Sequence, residues 1–273
     1  MFAKLLKYEW KANIGLLGLL SGCALGLGCV ATLILRLLTG NWDAIFEHEA
    51  SIILLIPAFL FLFVSFLGIM LYGASVQYIL LYRFYKSRFT DEGYLMFTLP
   101  VKTHQLFLSS AVNMLIWGII AVVVIIVSVG VPFLLGPVWP EDAAQEFRAV
   151  FADMSFVFDD ILGTGYTLTS LLSYIAMSLY SIVVPMSAVV IGASVAKKHK
   201  VLTIIGILIG ISVISSTITG TISGIAQLLL FTADNIKLVT TIPSILTSIM
   251  YLGFTIGGYF LSTYIMKHRL NLP

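Results

Sequence analysis

Six long uncharged runs dominate the chain, and short polar segments separate them. The runs fall at about 14–35, 51–81, 106–135, 166–196, 201–230 and 242–266. Each exceeds the ~20 residues with which an α-helix crosses a ~30 Å hydrocarbon core. No charged residue interrupts any of these runs, as the high cost of an ion at membrane depth requires. The pattern predicts an all-α, polytopic membrane protein with six transmembrane helices and a single transmembrane domain over residues 1–273.

The composition agrees with this prediction. Of the 273 residues, 59% are hydrophobic and 10% are charged, whereas soluble domains carry roughly 25% charged residues. The net charge of +2 is too small to indicate a nucleic-acid partner. The motif LSGC at 20–23 is typical of a lipoprotein cleavage site, but the apolar run continues to Leu35. We therefore interpret this stretch as a membrane helix.

The distribution of charge predicts the orientation. All but three of the 15 Lys and Arg residues fall on one side of the six runs, the exceptions being Arg36, Arg148 and Lys237. All but three of the 13 acidic residues fall on the other side. Because Lys and Arg accumulate in cytoplasmic loops, both termini are expected in the cytoplasm.

The first residues show a helical separation of basic and apolar positions. Lysines occupy one face and apolar residues another: Lys4, Lys7 and Lys11 against Phe2, Leu6 and Trp10. The pattern favours an amphipathic interfacial helix, with Lys4, Lys7, Trp10 and Lys11 at the membrane interface and in contact with lipid. The alternative is a simple cytoplasmic extension of the first span.

The largest outer loop, about 136–165, also carries a helical pattern. Pro140 suits the first position of a helix, and aromatic and Met side chains recur at spacings of three and four from Phe147 to Phe158. An amphipathic helix on the outer surface would use that face, and its acids would attract cationic substrates. A solvated face that keeps the loop outside is the interpretation we favour.

A short helix signal lies between the second and third runs. In the stretch TDEGYLMFTLP, Thr90 is a suitable N-cap, and acids follow it in the first turn. Pro100 disfavours helical geometry at Leu99. The stretch therefore predicts a cytoplasmic helix at about 90–99, whose apolar and aromatic side chains need a covering surface.

The sequence RFYKSRFTDEGYLMFTLPVKTHQLFLSSAV, Arg83–Val112, resembles the corresponding loop of type-2 permeases of ATP-binding-cassette (ABC) exporters, particularly short Gram-positive subunits. The resemblance implies a coupling helix that docks on a separate nucleotide-binding subunit, where ATP and Mg²⁺ bind, and a second permease copy or paralogue. It implies a location in the bacterial cytoplasmic membrane. The contact residues would be Asp91, Glu92, Gly93, Tyr94, Leu95, Phe97 and Pro100. One departure is that the largest outer loop follows the third span rather than the fifth.

The chain itself offers no catalytic motif. It has no G-x-x-x-x-G-K-[ST] phosphate loop and no His-Glu-x-x-His pair, and its two cysteines, Cys23 and Cys29, define no metal site. We therefore expect no enzyme activity, metal or cofactor in this chain. Two rival interpretations remain open: a sensor or assembly factor without transport, and a secondary transporter.

The fifth run is the most polar of the six. Hydroxyl residues recur there at helical spacing: Ser212, Ser216, Thr219 and Ser223. G-x-x-x-G patterns accompany them, at Gly206/Gly210 and Gly220/Gly224 in this run and at Gly22/Gly26 and Gly253/Gly257 elsewhere. Small residues allow membrane helices to approach closely, so we favour helix packing. The alternative is the lining of a translocation path or a dimer seam.

Overall fold

The computed structural model describes residues 2–40, 49–90, 93, 102–135, 149, 163–195, 199–230 and 236–268. These residues form six long helices: α1 (Phe2–Gly40), α2 (Glu49–Phe89), α3 (Thr103–Leu135), α4 (Gly163–Val195), α5 (Lys200–Leu230) and α6 (Ile236–His268). No strand occurs among the described residues. Each predicted run lies within one helix. The one exception is Ala196, the last residue of the fourth run, which lies outside the described residues. The all-helical prediction with six candidate spans is confirmed.

All six helices are long and apolar enough to cross a membrane. Their candidate spans contain 28 to 37 residues, with a mean hydropathy between 1.4 and 2.9. At 1.5 Å per residue, even a span of 28 residues is about 42 Å long. This length exceeds the ~30 Å hydrocarbon core, so the chain has the character of a multi-pass membrane protein. The side on which the termini lie stays a prediction.

The N-terminal segment belongs to the same helix as the first apolar run. Lys4, Lys7 and Lys11 are exposed, whereas Trp10 is half-buried and stacks on Trp117 of α3 with ring centroids 4.8 Å apart. The continuous helix agrees with our alternative interpretation, an extension of the first span. Whether this segment lies in the headgroup layer stays a prediction.

The chain divides into two compact units. The α1 unit comprises Ala3–Leu80 and Val112–Ala149. The α4–α6 unit comprises Met1–Phe2, Leu81–Ala111 and Val150–Pro273. The division falls within α2 and α3, so each unit contains a part of both helices.

Small residues bring the helices of the α1 unit together. A Cβ atom on Gly28 would lie 2.7 Å from the carbonyl oxygen of Ser128, so α1 and α3 touch at their backbones. The hydroxyls of Ser21 and Tyr72 form a 2.7 Å hydrogen bond between α1 and α2. Close backbone approach and hydroxyl pairs are the usual means by which helices associate in lipid.

In the α4–α6 unit, each of the helices α4, α5 and α6 packs against the other two. Half of the apolar window of α4 is buried, against 28% or less in the other five helices. The Tyr180 hydroxyl bonds the Ser215 hydroxyl of α5, and the Ser173 hydroxyl lies 2.7 Å from that of Ser248 in α6. Helices α4, α5 and α6 therefore form a three-helix core in which α4 makes polar contacts with both neighbours.

Candidate functional site between the second and third helices

The predicted coupling helix falls almost entirely outside the described residues. Of its seven predicted contact residues the structure describes Gly93; the six outside the described part are Asp91, Glu92, Tyr94, Leu95, Phe97 and Pro100. Both ends of this segment are described, because α2 ends at Phe89 and α3 begins at Thr103. These two ends, with the helices that contact them, form the candidate site.

The segment leaves α2 through a tight turn. The Gly93 amide donates to the Thr90 carbonyl at 2.8 Å, and the Thr90 hydroxyl donates back to the Lys86 carbonyl at 2.5 Å. We expected the Thr90 hydroxyl to accept a hydrogen bond as the N-cap of the next helix. The donated bond satisfies a carbonyl at the end of α2, where the last carbonyls have no partner within the helix. The N-cap role of Thr90 stays a prediction, because Asp91 and Glu92 lie outside the described residues.

Gly93 packs directly on the backbone of α2. A Cβ atom at this position would collide with the Arg88 carbonyl oxygen and lie 2.6 Å from its carbon. Real Cβ atoms do not come so close to a backbone atom, which a side-chain rotation cannot move. Glycine is therefore required here for the return of the chain against α2.

Arg88 joins the two ends of the segment. Its side chain is 1% exposed, and its Nη2 donates to the Leu106 carbonyl of α3 at 2.7 Å. The guanidinium carbon lies 5.0 Å from the centre of the Phe84 ring. A buried charge is costly unless it is hydrogen-bonded, and the carbonyl and the aromatic face both compensate it. The result is a bridge from the last turn of α2 to the first turns of α3.

Aromatic packing surrounds this bridge. The Phe84 ring makes edge contacts with Phe89 at 5.9 Å and with Phe107 at 6.1 Å between centroids. The side chains of Leu106 and Phe107 are at most 1% exposed. We call this set the Arg88 cluster: Phe84, Arg88, Phe89, Leu106 and Phe107. Edge-to-face aromatic pairs contribute about 0.5–1.5 kcal/mol each beyond their burial, so the cluster fixes the two helix ends against each other.

The start of α3 also contacts α6. His104 Nδ1 lies 3.2 Å from the Tyr259 hydroxyl, and the Phe107 ring meets the Tyr259 ring edge-on at 5.7 Å. Phe107 belongs to the Arg88 cluster, so packed side chains connect the segment's base to α6. A displacement of the Arg88 cluster would therefore act directly on α6, within the same unit.

The predicted hydroxyl row of α5 does not form one uniform surface. Thr219 is buried and Ser223 is half-buried, whereas Ser212 and Ser216 are exposed. The four residues span an arc of about 60° on the helix, and the edge nearest Ser215 faces the interior of the unit. The row therefore lies at the boundary between the packed and open sides of α5.

Most of the hydroxyls in this row are satisfied by their own helix. Ser216 donates to the Val213 carbonyl at 3.1 Å, and Thr219 donates to the Ser215 carbonyl at 2.8 Å. Ser223 donates to the Gly220 carbonyl at 3.1 Å. The use of this hydroxyl row as a translocation path or dimer seam stays a prediction.

Within the described part of the chain, the G-x-x-x-G patterns do not make the close helix contacts that our packing interpretation predicts. A Cβ atom on any of these glycines would meet no described atom within 4 Å: Gly22, Gly26, Gly206, Gly210, Gly220, Gly224, Gly253 and Gly257. Close helix contacts occur instead at other glycines, among them Gly28 and Gly192. The patterned glycines lie on helix sides that no described neighbour covers.

Sequence reasoning missed Arg88, His104 and Tyr259 as parts of the site. We counted Arg88 as one of many basic residues on the predicted cytoplasmic side. Its spacing from Phe84 was the available signal, because residues four apart share a helix face. The contact between His104 and Tyr259 spans 155 positions, and local spacing carries no information about it.

No family model matches the chain, and no curated protein or solved structure is significantly similar to it. Within the described part of the chain, no group of three or more His, Cys, Asp or Glu residues is placed to hold a metal ion.

Proposed function

We propose that the chain is the membrane-spanning permease subunit of an ABC exporter in the bacterial cytoplasmic membrane. It moves substrate with ATP hydrolysis by a separate nucleotide-binding subunit. The observation that carries the proposal is the Arg88 bridge: Nη2 and the Leu106 carbonyl oxygen, 2.7 Å apart, join the two ends of the predicted coupling helix. The joined ends of α2 and α3 support the docking role proposed for residues 90–99.

A permease driven by a separate ATPase needs a stiff element that receives its movement. A flexible loop would absorb a displacement, whereas a segment fixed at both ends transmits it. The turn at Gly93 and the buried Arg88 cluster supply such fixed ends, and a packed interior yields little to strain. The predicted contact residues at the tip, Asp91 to Pro100, would meet the ATPase on the cytoplasmic side.

Side chains of the Arg88 cluster also connect the segment to α6. Phe107 lies in the Arg88 cluster and also contacts Tyr259 of α6. A shift of the docked segment would therefore act on α6, and α6 packs with α4 and α5. Movement of this three-helix core would change the substrate path.

A second copy or a paralogue would complete the transporter. The open side of α5 supports this part of the proposal, since Ser212 and Ser216 are exposed. A Cβ atom on Gly220, one turn after Ser216, would meet no described atom within 4 Å. A partner helix could approach closely there. Substrate would pass along the seam between the two permeases.

The decisive experiment is co-purification of the chain, co-expressed with the products of its neighbouring genes, followed by an ATPase assay. We expect a nucleotide-binding subunit to co-purify and its ATPase activity to respond to the permease. Replacing Tyr94 and Phe97 by Ala should release this subunit or uncouple its activity. Tyr82→Ala is the matched control, because Tyr82 is an exposed aromatic residue on α2, 61% accessible.

Unchanged association and turnover in the Tyr94→Ala, Phe97→Ala variant would remove the docking assignment. If a stable preparation recruits no ATPase at all, the exporter proposal fails. A sensor, an assembly factor or a secondary transporter would then be the better interpretation.

A further inference from the structure

A surface cavity lies at the start of α5, and the proposed function makes no use of it. Its volume is about 600 Å³, and its lining belongs to the end of α2 and the first turns of α5: Tyr85, His199, Lys200, Val201, Leu202 and Ile205. All six residues belong to the α4–α6 unit. The lining combines a basic side with an apolar side.

The basic side presents hydrogen-bond donors and positive charge. Lys200 and His199, which are adjacent in the chain, both line the cavity, and Tyr85 of α2 lines it as well. The Thr203 amide donates to the His199 carbonyl at 3.2 Å, so α5 begins here. The cavity walls therefore attract an anionic group with oxygen acceptors, such as a phosphate ester.

The apolar side continues along α5 away from the mouth. Leu202 is 71% exposed, Ile205 49%, Ile209 56% and Val213 57%. Positions three and four apart share one face of a helix, so these side chains form a continuous exposed stripe. An anion that fits both features has a hydrocarbon chain attached to its charged group.

We propose that this cavity binds the headgroup of an anionic glycerophospholipid, with an acyl chain along the stripe from Leu202 to Val213. Basic pockets between membrane helices bind such headgroups through charge. A soluble phosphate ester would satisfy Lys200 and His199 but would leave the stripe uncovered, so the stripe decides in favour of lipid. The site requires membrane insertion of α5 and does not depend on the exporter function.

Native mass spectrometry of the detergent-solubilised full chain tests the site. The probes are phosphatidylglycerol, phosphatidylcholine with the same acyl chains, and glycerol 3-phosphate. We expect phosphatidylglycerol to bind more tightly than phosphatidylcholine, and excess glycerol 3-phosphate not to displace it. Lys200→Gln should weaken phosphatidylglycerol binding about five-fold, which corresponds to about 1 kcal/mol for one basic residue.

Two further variants separate a built site from general surface charge. Ile205→Trp fills the cavity without changing the charge and should weaken phosphatidylglycerol binding at least as much as Lys200→Gln does. Lys102→Gln is the matched control, since Lys102 is an exposed lysine whose carbonyl accepts the Gln105 amide at the start of α3. It removes the same charge in the same unit but outside the cavity, so binding should stay unchanged.

Three results would overturn the proposal. Equal binding of the two lipids would exclude headgroup selectivity. Equal loss in Lys102→Gln and Lys200→Gln would indicate diffuse attraction to the surface. Displacement by glycerol 3-phosphate would identify a site for soluble phosphate esters instead of lipid. None of these results depends on an ATPase subunit, so they leave the exporter proposal untouched.

Discussion

Replacing Arg88 by Met is the sharpest test of the bridge between α2 and α3. Met keeps an unbranched apolar stem in the space beside Phe84 but removes the guanidinium. The variant loses the 2.7 Å hydrogen bond from Nη2 to the Leu106 carbonyl and the 3.4 Å hydrogen bond from Nη1 to the Ser87 hydroxyl. It also loses the contact with the Phe84 ring, whose centre lies 5.0 Å from the guanidinium carbon. The question is which property of the protein this loss changes.

Two opposing effects act on overall stability. A hydrogen bond from a charged group contributes about 1.5–3 kcal/mol, and a desolvated cation–π contact about 2 kcal/mol. Against them stands the desolvation of a charge that is 1% exposed, which costs several kcal/mol. The Leu106 carbonyl also accepts from the Ser109 hydroxyl at 3.0 Å, so Arg88→Met does not leave it without a partner. We therefore expect little change in the thermal midpoint.

The local effect is different, because the lost hydrogen bond crosses between the two ends of the segment. The Arg88 hydrogen bond contributes about 1.5–3 kcal/mol. Without it, local opening of the segment between α2 and α3 should become about 10- to 150-fold more frequent. Hydrogen–deuterium exchange reports such opening. The amide of Gly93, which is bonded to the Thr90 carbonyl, should exchange faster by a factor in this range.

Arg83→Met is the control for this experiment. Arg83 is a half-buried arginine five positions earlier on the same helix, and it lies outside the Arg88 cluster. If Gly93 exchanges at the wild-type rate in Arg88→Met, the bridge does not fix the segment. An equal acceleration in Arg83→Met would lead to the same conclusion, because a general loss of positive charge would then explain both.

Two further predictions concern packing and orientation. Gly28→Ala should destabilise the protein by about 1–3 kcal/mol, because the new methyl group would lie 2.7 Å from the Ser128 carbonyl oxygen. In Gly22→Ala the new methyl group would meet no described atom within 4 Å. This variant should therefore stabilise its helix by up to about 1 kcal/mol. Thermal unfolding in detergent compares the two, and equal shifts would contradict the close contact. In a background without the native cysteines, an impermeant thiol reagent added to intact cells should label Glu47→Cys and spare Lys4→Cys; the reverse pattern would invert the orientation.

The six helices were predictable because the membrane leaves the backbone few choices. In hydrocarbon, every amide and carbonyl needs an internal partner, and a helix provides it for an uncharged run of sufficient length. The helix ends were less predictable. The first run begins at about residue 14, but α1 begins at Phe2, since a polar amphipathic sequence continues a helix as readily as an apolar one does.

The sequence could not show which glycines make contacts. Gly22 and Gly26 have the spacing that favours close packing, yet a Cβ atom on either would meet no described atom within 4 Å. Gly28, two positions further along α1, meets the backbone of Ser128. A shift of two positions rotates the contact by about 200° around the helix. The choice between these faces depends on the neighbouring helices, which a local pattern does not encode.

The position of Arg88 in the sequence predicts one part of the candidate site but not the other. Leu81, Phe84 and Arg88 recur at spacings of three and four, and their side chains are 8%, 2% and 1% exposed. A cation on the apolar stripe of a helix predicts that the charge is buried and needs an acceptor. The acceptor itself was not predictable, because it is the main-chain carbonyl of Leu106, and every residue carries such a group. The sequence therefore indicates that a bridge is needed on this face of α2, and the packing of α3 against it decides where the bridge forms.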